Sequence, residues 1–179
     1  IAALDMINKL DKEEKNADFE NVGETEQKAF DEKVNEYNSF LAGKTQQFTT
    51  EAIEEAMQKV MDNYAGGIST HYQFNEKQLD LAEEKILKLK DLAEKAGAED
   101  MHELLFAYEL KERLLVCQVL IEHLKSRKET RWHSFNENLD HPETDQKFEK
   151  YVNSRMEDGK IHILFRGLVK GDTYEHTNS

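Results

Sequence analysis

Cysteine, proline and tryptophan each occur once in these 179 residues, and glycine only eight times. A single cysteine, Cys117, excludes an internal disulfide framework and any cysteine-rich cluster site. So few turn-forming residues leave little material for an all-β fold. No apolar stretch approaches the roughly 20 residues needed to cross a bilayer, and the first residues carry no signal-peptide pattern. Basic residues are in deficit, with 24 Lys and Arg against 37 Asp and Glu and a net charge of −13. That argues against nucleic-acid binding, because phosphate contacts need clustered cations. There is no Gly-x-Gly-x-x-Gly, no P-loop, no Gly-x-Ser-x-Gly elbow and no His-Glu-x-x-His. The chain opens on Ile1 rather than Met, which suggests a processed product or a fragment. The lone cysteine fits a reducing compartment, and a cytoplasmic location is the expectation.

What is present reads as helix. Hydrophobic residues make up 38% and charged residues 34%, enough for a modest core under long exposed helical faces. Ala3, Met6, Ile7 and Leu10 predict a short amphipathic helix over 1–10. Asp11 to Glu26 is acidic and weakly apolar and reads as a loop. Phe30, Val34, Tyr37 and Leu41 predict a helix over 29–41. Thr50 is the expected N-cap of the next helix, whose apolar face is Ile53, Met57, Val60, Met61 and Tyr64, with Gly66-Gly67 as its stop. Asn75 caps a helix running to about Ala96, with Leu79, Ala82, Ile86, Leu89 and Ala93 inward. Asp100 and Glu103 have capping-box spacing. They open a helix to about Arg127, on the order of 40 Å long. Its apolar arc of Leu104, Leu105, Tyr108, Leu114, Leu115, Val119, Leu120 and Leu124 is wide, so it is expected to be the central helix, covered on more than one side. After Arg131 the helical period is lost. Asp158-Gly159 between Tyr151-Val152-Asn153 and the run Lys160 to Phe165 predicts a hairpin.

The fold class is therefore mainly α, an antiparallel helical bundle with a small C-terminal β-hairpin. The organisation expected is a helical extension with an acidic loop over 1–48, a bundle core over 49–132, and loop, hairpin and tail over 133–179.

Candidate chemistry is sparse. The one Glu-x-x-His, Glu99 and His102, lies on a polar first turn and has no second copy, so a di-iron bundle is disfavoured. The seven His residues are scattered, and His133 and His141 lack further ligands for a closed metal site. Cys117 sits in the apolar run Leu114 to Leu120 and reads as a buried thiol. The unusual segment is Arg127 to Trp132 with His141-Pro142-Glu143 and Arg155. Glu129 and Arg131, two apart, are expected to point to different sides of a helix end. One reading has Glu129, Arg131 and Arg155 bonding to hold this loop on the bundle. The other has them facing a site or a partner. Trp132 is expected to anchor the loop as a core residue.

Several segments share an order with a known family. They are Met57 to Gly67, Asn75-Glu76, Met101 to Leu104 with Glu109 and Arg113-Leu114, Glu129-Thr130-Arg131-Trp132, His141-Pro142-Glu143, and Val152-Asn153-Ser154-Arg155. Together they resemble the C-terminal helical domain of the fumarate reductase/succinate dehydrogenase flavoprotein family, most like its adenylylsulfate reductase branch. The resemblance runs from about Glu51 to Phe165. It departs after Trp132, where His133-Ser134-Phe135-Asn136 stand in place of the family's Pro-Gly and Tyr pair.

The resemblance implies the C-terminal domain of an FAD-dependent oxidoreductase of sulfur metabolism. It would buttress the flavin domain of the same polypeptide and offer surface to an iron–sulfur subunit. No catalytic, cofactor-binding or metal residue is assigned to this chain, and FAD would belong to the full-length protein. Glu129, Arg131, Trp132, His141 and Arg155 are the candidate interdomain or partner contacts. The alternative is a free-standing acidic helical interaction module without enzymatic activity.

Overall fold

The computed structural model describes residues 23–42 and 48–169. The chain divides into two compact units, Ile1–Ser39 and Phe40–Ser179. The helix expected over 1–10 and most of the expected acidic loop lie outside the described residues. The loop expected to reach Glu26 ends sooner, because helix α1 spans Glu24–Ala42. Glu24 and Glu26 sit in its first turn, at the positive end of the helix dipole. The N–H of Gln27 closes that turn on the carbonyl of Gly23.

Helix α2 spans Thr50–Tyr64. Its N-cap is Thr49 rather than Thr50, with the hydroxyl accepting the N–H of Ala52 at 3.2 Å. Adjacent threonines carry the same capping chemistry, so the sequence does not choose between them. Ile53, Met57 and Val60 are buried, and Met61 and Tyr64 pack against them. Gly66 at φ +78 ends the helix, a conformation that a side chain disfavours. A Cβ on Gly67 would lie 2.4 Å from the backbone of Asp62.

The two-residue strand β1, Gln73–Phe74, leads into helix α3, Glu76–Ala93. Asn75 caps α3 with a complete capping box, exchanging bonds with Gln78. The helix stops at Ala93, short of the expected Ala96. Ala96 and Ala98 are instead buried in the turn that follows, and the N–H of Ala98 bonds the carbonyl of Phe40 at 2.9 Å. Helix α4 spans Met101–Ser126. Asp100 accepts from the N–H groups of His102 and Glu103. The Glu103 carboxylate returns to the N–H of Glu99, not of Asp100, so the box closes one residue early.

Helices α3 and α4 run antiparallel. Lys125 reaches Asp80 and Glu83, Lys90 reaches Gln118 and Lys111 reaches Glu94, so numbers rise along one helix as they fall along the other. Leu79, Ile86, Leu110, Leu114 and Ile121 are fully buried between them. Burying each such side chain is worth about 1.5–3 kcal/mol, which makes this seam the main source of stability.

The expectation that α4 is covered on more than one side holds in part: α2, α3 and the C-terminal hairpin all pack on it, but most of its outer face stays open. Leu104, Ala107, Leu110, Leu114 and Ile121 face the core, whereas Met101, Leu105, Val116 and Leu120 are exposed. Offsets of four, eleven and four residues put those four within about 100° of one another on the opposite face. Among the described residues only the hairpin and the loop before it approach that face, at the Leu120 end, so apolarity on both sides of a helix does not translate into full cover on both.

The chain ends in an antiparallel hairpin of β3, Lys150–Glu157, and β4, Lys160–Gly167, paired from Lys150↔Gly167 to Glu157↔Lys160. Asp158 and Gly159 turn it with φ +50 and +73, the signature of a type I′ turn. The hairpin rests on α4. Strand β2, Glu137–Asn138, pairs in parallel with β1. A two-residue bridge has no periodicity to read, and no sequence signal announced it.

Candidate functional site

The segment after α4 folds back on the bundle through buried polar groups. Its centre is Glu129, whose side chain is fully buried. Arg131 donates to it bidentately, Nε to Oε1 at 3.1 Å and Nη2 to Oε2 at 2.9 Å. Arg127 Nη1 lies 3.4 Å from Oε1, and the N–H of Asp145 donates to Oε2 at 2.9 Å. Burial pushes the carboxyl pKa up. Arg131, the Asp145 N–H and Arg127 more than offset that and hold it below its ordinary value. The expectation that Glu129 and Arg131 diverge is therefore wrong. The helix has already ended at Ser126, so helical spacing no longer sets the directions of the two side chains.

Thr130 and Asn138, both buried, lock the loop from within. The Thr130 hydroxyl donates to the carbonyl of His141 at 2.9 Å and accepts the N–H of Asn138 at 2.9 Å. Thr144 donates to the carbonyl of Thr130. Arg127 reaches forward to the carbonyls of Phe148 and Lys150, tying the start of the hairpin to the end of α4. At the other end of the loop the Asp140 carboxylate accepts the N–H of Glu76 at 2.7 Å, which closes the first turn of α3.

The five candidate contacts are thus not one cluster. Glu129 and Arg131 are joined. His141 bonds Glu76, which Lys128 also holds, and the Glu76 pKa is lowered by Lys128 first and His141 second. Among the described residues Arg155 pairs with Glu157 on the exposed hairpin and makes no bond to the loop. Trp132 is 67% exposed rather than a core anchor. Its backbone makes the turn, accepting from Phe135 and Asn136, and its ring is left outside. Arg127, Thr130 and Asn138 were missed by sequence reasoning. Arg127 and Thr130 lay in the segment singled out by the sequence but were given no role there, and short polar residues in a loop look alike until their burial is known.

Trp132, the end of α4 and the start of β3 enclose an open cleft of about 370 Å³. Phe74, Leu120, Leu124 and Val152 supply apolar wall, and Arg127, Arg131 and Lys150 stand on it. His123 also lines it, with Nε2 buried and unpartnered. Burial lowers its pKa, which favours the neutral imidazole. Cys117 packs against the core, and burial raises its thiol pKa. No group of three metal-ligating side chains occurs among the described residues, and none of their helices is long and apolar enough to cross a membrane.

No family model matches the chain. A search of curated proteins matches the adenylylsulfate reductase alpha subunit of Megalodesulfovibrio gigas, 31% identical over 103 residues, or 57% of this chain and 16% of that one. The chain is homologous to part of that subunit. The solved adenylylsulfate reductase of Archaeoglobus fulgidus superposes with a TM-score of 0.67 at 30% identity, covering 76% of this chain and 23% of that one. E. coli quinol fumarate reductase shares the fold, with a TM-score of 0.66 at 20% identity over 83% of this chain and 26% of that chain. The chain therefore spans about a sixth to a quarter of the relatives it matches.

The N-termini of α2, α3 and α4 are each filled by their own caps, Thr49, Asn75 and Asp100.

Proposed function

We propose that this chain is the C-terminal helical domain of an FAD-dependent oxidoreductase of the adenylylsulfate reductase type, and that it is not itself catalytic. Its role is to buttress the flavin domain of the same polypeptide and to offer surface to an iron–sulfur subunit. The full-length protein would work in sulfur metabolism in the cytoplasm, with FAD held outside this chain. The observation that carries this reading is the bare apolar stripe on α4. A helix that is apolar on both faces is stable in water when both are covered, and exposed apolar residues gathered on one face mark an interaction site. Homology to a segment of a much larger subunit supplies the candidate for the missing cover. Glu129, Arg131 and the exposed Trp132 line one cleft with Leu120 at the end of that face, which favours these three over His141 and Arg155 as interdomain contacts.

Sequencing the coding region directly upstream of Ile1 tests the proposal. An in-frame flavin domain with a Gly-x-Gly-x-x-Gly strand–helix turn is the expected result. A start codon within a few residues of Ile1 would favour the acidic, free-standing interaction module instead.

A further inference from the structure

The cleft beside Trp132 has a chemistry that covering α4 does not by itself require. Its walls are apolar, but its cations, Arg127, Arg131 and Lys150, face a single lining carboxylate, Glu129. The chain as a whole carries −13, so the sign of the charge is locally reversed. Arg127 and Arg131 share Glu129, with Glu149 acting on Arg131 from outside the lining. The ammonium of Lys150 is in no ion pair among the described residues.

We propose that this cleft seats an acidic polypeptide segment of the surface that covers α4. One apolar side chain of that segment packs against Leu120, Leu124 and Val152, and flanking carboxylates meet Arg131 and Lys150. The inference deepens the reading above and rests on it. Charge complementarity selects an anionic occupant. Continuity selects a polypeptide over a small anion. Leu120 belongs both to the cleft and to the outer face of α4, with Val116 one turn away; Glu109 and Glu112 stand between this pair and the exposed Leu105 and Met101. A small molecule would fill the cleft and leave the stripe bare.

Trp132 is the only tryptophan and stands on the rim, so its emission reports occupancy of the cleft in the full chain. The probe is the peptide Ac-Glu-Asp-Leu-Phe-Asp-Glu-NH2, with a version carrying Lys at the acidic positions, a version carrying Ser at Leu and Phe, and AMP as a small aromatic anion. The acidic peptide is expected to shift Trp132 emission and bind at least about tenfold tighter than the lysine version, weakening several-fold between about 0.1 and 0.5 M salt. Leu120→Asp and Lys150→Glu, both exposed positions, are each expected to weaken binding about fivefold or more with unchanged circular dichroism. No emission change up to about 1 mM peptide, equal binding of the lysine or serine version, or AMP binding that the peptide does not displace would each overturn the proposal. The outcome separates from that of the wider reading. A flavin domain that docks on the chain while the peptide fails removes only the cleft assignment, and peptide binding without any upstream flavin domain removes only the redox one.

Discussion

The two faces of α4 carry the same kind of residue and meet different fates. The inner face, with Leu110, Leu114 and Ile121, is sealed against α3. The outer face, with Met101, Leu105, Val116 and Leu120, is open. Hydrophobicity alone would bury both. The inner face differs in having an amphipathic partner, α3, whose Leu79, Ala82, Ile86 and Ala93 pack against it. The outer face has no such partner among the described residues. It follows that inner positions set the stability of this chain, while outer positions should matter only when something docks.

The largest test of that contrast is Leu114→Ala. Loss of a fully buried leucine is expected to cost about 2–5 kcal/mol, whereas Val116→Ala, two residues on, should change stability by no more than about 0.5 kcal/mol. Denaturant midpoints of the two variants measure the difference directly. Equal costs would mean that the outer face is already packed in solution.

Removing the carboxylate that holds the loop comes next. Glu129→Ala leaves Arg127 and Arg131 without their shared partner and is expected to cost about 2 kcal/mol, discounted from a fully buried pair because both arginines are partly solvated. Faster proteolysis between Ser126 and Lys150 would report the loosened loop.

The same group predicts a pH dependence. The folded-state pKa of Glu129 is depressed, so its contribution is present above the unfolded value and is lost as pH falls below about 4.5 and through the folded pKa. Glu129→Gln should flatten the acid limb of a stability-against-pH curve. An unchanged limb would assign the acid sensitivity to other carboxylates.

Smaller effects are expected at local features. Asn75→Ala removes one half of the α3 capping box and should cost about 1 kcal/mol. Gly159→Ala meets open space but forces a side chain to adopt φ +73, and should cost about 1 kcal/mol or less.

The contrast also explains what the sequence made legible. Helix periodicity, the Asn75 cap, the glycine stop after Tyr64 and the Asp158-Gly159 turn are local signals. Each produced the expected element to within a few residues. Whether an apolar residue finds cover is not local, so Leu105 and Leu120 were grouped with Leu114 although they face away from it. The loop after α4 failed for a related reason. Its order comes from Thr130, Asn138 and backbone groups that become partners only once the segment folds back. Trp132 was placed inside because large aromatics usually are, yet its carbonyl closes a turn with Phe135 and Asn136 and the ring is left outside. The family resemblance crossed this gap because it rests on the order of whole segments, and that order does not depend on knowing which face is covered.

The most direct measurement is to express the polypeptide encoded upstream of Ile1 separately from this chain, mix the two, and determine mass and bound flavin by size-exclusion chromatography with absorbance detection. Native chain is expected to form a one-to-one complex in which the upstream part carries all the flavin, and Leu105→Asp with Val116→Asp should abolish the complex while leaving the chain folded. Equal complex formation by the double variant, or stoichiometric flavin on this chain alone, would contradict the assignment of the outer face of α4 as the seat of the flavin domain.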